Sequence, residues 1–142
     1  MSRTLKSWYT VINEDKYVGS NKPYCRSTWE LAFCRFCDNN PYVTKWAHEP
    51  MKILYKNPFS NAKYSVYVPD FLVVYMDKKG KQHAELIEIK PAKQAIKEKA
   101  RSKRDQMSLA VNAAKWEAAT EYCKKNGLFF RVITENSLFN NP

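Results

Sequence analysis

The sequence predicts a single α/β domain whose elements run helix, several strands, helix, strand. Three observations carry that expectation. An apolar stripe at helical spacing begins at Ser27, two apolar runs flank a turn centred on Gly80, and a long amphipathic pattern closes on Gly127 just ahead of a last apolar run. A length of 142 residues suffices for one domain with its own core, without disulfide staples.

Taken in order, residues 1–23 are polar and aperiodic, with Gly19-Ser20-Asn21-Lys22-Pro23 as turn material. They are expected to form a loosely packed N-terminal arm, leaving residues 24–142 as the domain. From Ser27 a helix places Trp29, Phe33, Phe36 and Cys37 on one stripe, and Asn39-Asn40-Pro41 stops it. Short strands are expected over residues 42–46, 51–55 and 64–68. A hairpin follows, with residues 70–76 and 84–90 joined by Asp77-Lys78-Lys79-Gly80. A helix over residues 108–126 buries Leu109, Ala113, Trp116, Ala119 and Cys123, and Gly127 suits the position just past its end. Residues 128–134 read as a final buried strand.

The hairpin carries the chemistry. Folded about Gly80, it brings Asp70 beside Glu88, and alternation at period two puts Glu88 and Lys90 on one face. Two carboxylates at ~4 Å repel by ~1 kcal/mol in water and ~4 kcal/mol at an effective dielectric near 20. A divalent cation removes that penalty, and hard oxygen ligands suit Mg2+, with Mn2+ as a substitute. A metal so placed activates water and neutralises charge on a phosphate undergoing cleavage, with Lys90 helping to orient the water. The bare pattern fits a strand start with a same-face ion pair equally well. Glu30 is a further candidate. Ser27-Thr28-Trp29-Glu30 also reads as a capping box, the reading that the sequence by itself favours.

Composition points to a polyanionic partner, since 24 Lys and Arg against 14 Asp and Glu give a formal charge of +10. Seven positive residues and one negative lie between Lys90 and Arg104. Lys93, Lys97, Arg101 and Arg104 follow at helical spacings, so a helix there would present a basic stripe to DNA phosphates beside the hairpin. No apolar run has transmembrane length and the N-terminus lacks a signal-peptide core, so a cytosolic protein without a membrane partner is expected. Cys34 and Cys37 have zinc-like spacing but sit within an apolar helical pattern beside Phe33 and Phe36, which makes them core residues.

Several motifs combine into a resemblance. Arg26-Ser27-x-Trp29-Glu30, Asn40-Pro41-x-Val43-x-Lys45-Trp46, Glu49-Pro50, Tyr67-x-Pro69-Asp70-Phe71-Leu72, Glu88-Ile89-Lys90-Pro91 and Lys115-Trp116-x-Ala118-Ala119-x-x-Tyr122-Cys123 resemble the head completion nucleases of T-even-like tailed phages. They are also similar to the catalytic domain of transposon-end endonucleases and, more broadly, to the PD-(D/E)xK superfamily. The resemblance implies a restriction-endonuclease-like core, a mixed central sheet flanked by helices in the order α-β-β-β-α-β. It implies Asp70 and Glu88 as Mg2+ ligands, Lys90 as catalytic lysine, Glu30 as an accessory helix carboxylate and Arg26 near the cleft. The implied substrate is DNA rather than a small molecule, cut as part of completing the filled head before the tail joins. The implied partners are head, portal or neck proteins, and the implied location is host cytoplasm during assembly and then the virion. Two other readings stay open, a non-catalytic DNA-binding neck protein and a junction-resolving or transposon-end nuclease. A transposase subunit is expected to carry a further C-terminal domain that a chain ending at Pro142 lacks.

Overall fold

Local sequence decides where each element starts and stops. The computed structural model describes residues 6–96 and 99–135. In chain order the elements are β1 (Ser7–Trp8), β2 (Tyr24–Cys25), α1 (Thr28–Asn39), β3 (Val43–His48), β4 (Ile53–Tyr55), β5 (Ser65–Tyr67), β6 (Phe71–Met76), β7 (Gln82–Ile89), α2 (Ala92–Ala95), α3 (Lys103–Asn126) and β8 (Phe129–Ile133). Ser27 caps α1 by accepting the Glu30 N–H at 3.1 Å. In the β6–β7 turn the Asp77 carboxylate accepts the N–H groups of Lys79 and Lys81, both at 2.9 Å, while Gly80 takes φ +81°. Gly127, at φ +70°, ends α3.

Four strands form the central sheet in the order β3-β6-β7-β8. The β3–β6 and β6–β7 pairs are antiparallel and β7–β8 is parallel, so the sheet is mixed and the core order is α-β-β-β-α-β, as expected. Alternation sorts its two faces. Phe71, Val73, Ile87 and Ile89 pack with Trp29, Phe33 and Cys37 of α1. Leu72 and Leu86 pack on the other face with Ala119 and Cys123 of α3 and with Ile53, Tyr55 and Tyr67 of the small β4–β5 sheet. The four cysteines are free and buried, and Cys34 and Cys37 belong to the first of these clusters. No helix among the described residues is long and apolar enough to cross a membrane.

Four expectations within residues 24–142 need correcting. Phe36 is 52% exposed, because Cys34 and Cys37 occupy the inward face instead. Ala113 is likewise exposed, the buried face of α3 running through Asn112, Ala119 and Cys123. The last strand is an outer strand, so Phe129 is 71% exposed and only Ile133 of β8 is fully buried. The basic run does not form one helix. Ile96 is extended, and Ser102 caps a new helix by accepting the Asp105 N–H at 3.0 Å, so α3 starts at Lys103 rather than 108. Arg101 and Arg104 therefore share no helical stripe with Lys93, while Lys97 and the Lys93 side chain lie outside the described residues.

Residues 6–23 are not loosely packed. Their anchor is Asp38, fully buried on α1. It accepts the Tyr9 hydroxyl at 2.6 Å and the Ile12 and Asn13 N–H groups at 2.8 and 3.0 Å. Main-chain bonds from Val18 to Trp46 and from Trp46 to Lys16 then lay this segment along β3. Burial alone would raise the Asp38 carboxyl, but the Ile12, Tyr9 and Asn13 hydrogen bonds outweigh it and hold the group below the usual carboxylate range. Asp38→Ala strands three donors, which is expected to cost about 2–4 kcal/mol and lower the melting temperature by roughly 10 °C at pH 7. A depressed carboxyl stabilises above its unfolded pKa, so the gap should narrow as pH falls below about 4. Melts across pH test this, and an alanine variant melting with wild type at pH 7 would overturn it.

Candidate active site

The antiparallel register sets the site. Phe71 pairs with His48 on one side and Ile87 on the other, and one step back Asp70 falls between Glu49 and Glu88. The Glu49 N–H donates to the Asp70 carbonyl at 2.7 Å. Three carboxylate-bearing residues thus form one row across the end of the sheet. The Asp70 side chain accepts the Ile89 N–H at 2.7 Å. Glu88, only 3% exposed, accepts the Tyr67 hydroxyl at 2.7 Å and stands 3.2 Å from the Lys90 ammonium.

Burial and charge set the ionisation. Desolvation pushes the Asp70 carboxyl well above its ordinary range, the Glu88 charge adds to that, and the Ile89 N–H opposes it. Glu88 is also raised by burial, against the pull of Lys90 and Tyr67. Burial lowers Lys115, helped by the neighbouring Lys90 ammonium and opposed by Glu88 and Asp70. The Lys115 ammonium lies 5.7 Å from the Tyr67 ring centre and 5.8 Å from that of Tyr55. Two amines therefore face two carboxylates.

Glu30 reaches the same end of the sheet from α1. Its amide is capped by Ser27, while its carboxylate meets His48 Nε2 at 2.9 Å, so the cap leaves the side chain free for the cleft. Its charge is felt at Asp70. His48 is 7% exposed, and its Nδ1 lies 3.9 Å from Glu49. Arg26, exposed, pairs with Glu49 at 2.9 Å. On the Lys90 side a cleft of about 620 Å3 is lined by Lys90, Lys103, Arg104, Lys115, Gln94 and Asn57. Arg101 does not line it.

Residues 40–135 match the family model described as the TnsA-like endonuclease N-terminal domain. The chain belongs to the TnsA-like endonuclease family. It is also similar to the head completion nuclease of Enterobacteria phage T4, at 34% identity over 140 residues that cover 89% of this chain and 88% of the relative. The mixed sheet between α1 and α3 is the restriction-endonuclease-like core of such domains. The matched segment of this TnsA-like domain contains Asp70, Glu88, Lys90 and Lys115, and leaves Arg26 and Glu30 before it.

The structure brings Asp70, Glu88, Lys90 and Glu30 together and puts Arg26 and Arg104 in clefts at the two ends of the row. Sequence reasoning assigned no role in the site to His48, Lys103 or Lys115, and Tyr67 entered it only as part of a motif. A usable signal existed for Lys115, because a lysine between Asn112 and Ala119 at helical spacing falls on the buried face of α3. Among the described residues no three His, Cys, Asp or Glu side chains gather into a ready-made metal cluster. The donors that do converge are hard carboxylate oxygens, with Asp70 raised by burial and then by the Glu88 charge, and this chemistry fits a divalent cation that also takes water and phosphate oxygens.

Proposed function

We propose that this chain is an Mg2+-dependent DNA endonuclease that acts in completing the head of a tailed phage, on the packaged genome's end before the tail joins. The observation that carries it is the convergence of Asp70, Glu88 and Lys90 in register at one end of the sheet. The name of the phage relative supports the setting. Asp70 and Glu88 would hold the ion, with Glu30 as accessory carboxylate. Bound there, Mg2+ would lower the pKa of a ligated water and neutralise charge developing on the scissile phosphate. Lys90 would orient the attacking water and stabilise the transition-state charge. Tyr67 holds Glu88 in place by its 2.7 Å hydrogen bond.

The basic cleft beside Lys90 would grip duplex phosphates through Lys103, Arg104 and Lys115, without reading sequence. Lys93 and Lys97, whose side chains lie outside the described residues, and Arg101 are proposed as further phosphate contacts on their charge alone, and Arg26 serves the far side. Head, portal or neck proteins are the proposed protein partners, in the host cytoplasm during assembly and afterwards in the virion.

Supercoiled plasmid incubated with the purified protein tests this reading. Nicking and linearisation are expected with Mg2+ or Mn2+, none with EDTA, and none from Asp70→Ala or Lys90→Ala. Salt-sensitive DNA binding without any cleavage of plasmid, branched or single-stranded DNA would replace the enzyme with a structural neck protein.

A further inference from the structure

A second cleft, of about 760 Å3, opens at the Glu49 end of the catalytic row and is within the size range of ligand pockets. Trp8, Lys22, Tyr24, Arg26, Glu49 and Lys52 help to line it. Trp8 is 60% exposed, yet it is held firmly. β1 pairs it with Tyr24, whose ring meets it edge-on at 4.8 Å and 60°, and the next residue, Tyr9, is locked into the core by Asp38. The Arg26 guanidinium lies 5.7 Å from the Tyr24 ring centre and pairs with Glu49 at 2.9 Å. Glu49 itself has φ +48°, a left-handed backbone just ahead of Pro50 where such conformations are disfavoured. Strain of this kind persists only where the surroundings impose it. Its result here is a residue whose N–H donates to the Asp70 carbonyl while its carboxylate pairs with Arg26 in the aromatic cleft.

We propose that this cleft holds unpaired nucleotides continuous with the DNA duplex being cut, with a base stacked on Trp8 and the flanking phosphates on Lys22, Arg26 and Lys52. The proposal rests on the nuclease reading and names its substrate class. Inside a duplex each base face is covered by its neighbours, so an exposed, braced indole is useful only to a base that has left the stack. Three cations against the single Glu49 carboxylate favour a sugar-phosphate strand over an acidic or neutral peptide. Stacking is indifferent to base identity, so the cleft selects DNA structure, meaning ends with overhangs or flaps, and not sequence.

Fluorescence anisotropy in EDTA, comparing a blunt duplex with one carrying a ~6-nucleotide oligo-dT overhang, tests it. Wild type is expected to bind the overhang duplex about tenfold more tightly, Trp8→Ala to bring the ratio to near unity and Trp8→Phe to keep most of it. A 2-aminopurine placed in the overhang should be quenched on binding wild type. That signal decides the matter even where the alanine variant does not fold. Equal affinity for the two duplexes, an unquenched 2-aminopurine, or a ratio unchanged in folded Trp8→Ala would overturn the proposal. Because binding is read without metal or turnover, failure of plasmid cleavage would sink the nuclease reading and leave this result standing.

Discussion

Asp70→Asn is expected to abolish cleavage while making the protein more stable. The activity loss should be about a thousandfold or more, since the substitution removes the charge of a proposed Mg2+ ligand and leaves a neutral amide in its place. The stability gain follows from the same charge. Asp70 is desolvated and faces Glu88, and both effects raise its carboxyl, so the folded protein disfavours the ionised form that the unfolded chain carries at pH 7. Removing a charge that burial and Glu88 disfavour more than the Ile89 N–H and Lys90 favour it is worth about 1–3 kcal/mol, or a rise of roughly 3–10 °C in melting temperature at pH 7.

The sign with pH is fixed. An unfolded aspartate titrates near 3.9, and the folded one higher. Between those values the native state binds more protons than the unfolded chain, so wild-type stability falls as pH rises through the window and then levels off. The advantage of Asp70→Asn should therefore be greatest at neutral pH and close as pH falls towards about 4. Added Mg2+ should raise the melting temperature of wild type and leave that of Asp70→Asn unmoved. A variant that melts below wild type, or still cuts plasmid, would remove Asp70 from the proposed site.

How much of this was legible in the sequence depends on the range of the interaction. The hairpin announces itself because Asp70, Gly80, Glu88 and Lys90 obey rules that act over one turn and two strands. Ser27 and Gly127 punctuate their helices for the same local reason. Lys115 joins the site only through the packing of α3 on β7, and period alone cannot say what its helix will face. The anchor at Asp38 was invisible because hydropathy patterns count a buried carboxylate as surface, and the packing of Tyr9 went with it. The error in the basic run was local and avoidable. Ser102 with Asp105 three residues on is a capping signal, and it breaks a stripe that charge spacing alone had suggested. His48 went unassigned because a lone histidine at a strand end carries no mark of its partner, Glu30, eighteen residues earlier in the chain.

Lys90→Met should lose cleavage by about 10²–10³-fold and, unlike Asp70→Asn, should also lower the melting temperature. Glu88 is 3% exposed, and the Lys90 ammonium at 3.2 Å is one of its two close partners. Without it, the carboxylate keeps the Tyr67 hydroxyl and stands beside Asp70, which is expected to cost about 1–3 kcal/mol. Lys115→Met should behave differently. Its ammonium is disfavoured by burial and by Lys90, so a methionine on the Tyr55 and Tyr67 rings relieves that repulsion and leaves stability level or slightly improved. Removing the Asp70 charge and removing the Lys90 charge should thus move stability in opposite directions, which a merely apolar packing role would not do. The Asp70→Asn, Lys90→Met double variant should melt between the two single ones, because the anion facing Glu88 has gone along with the cation that balanced it. A Lys90→Met protein melting at or above wild type would mean that Glu88 is neutral in the folded state, and the pair of carboxylates would then lack the charge needed to hold a cation.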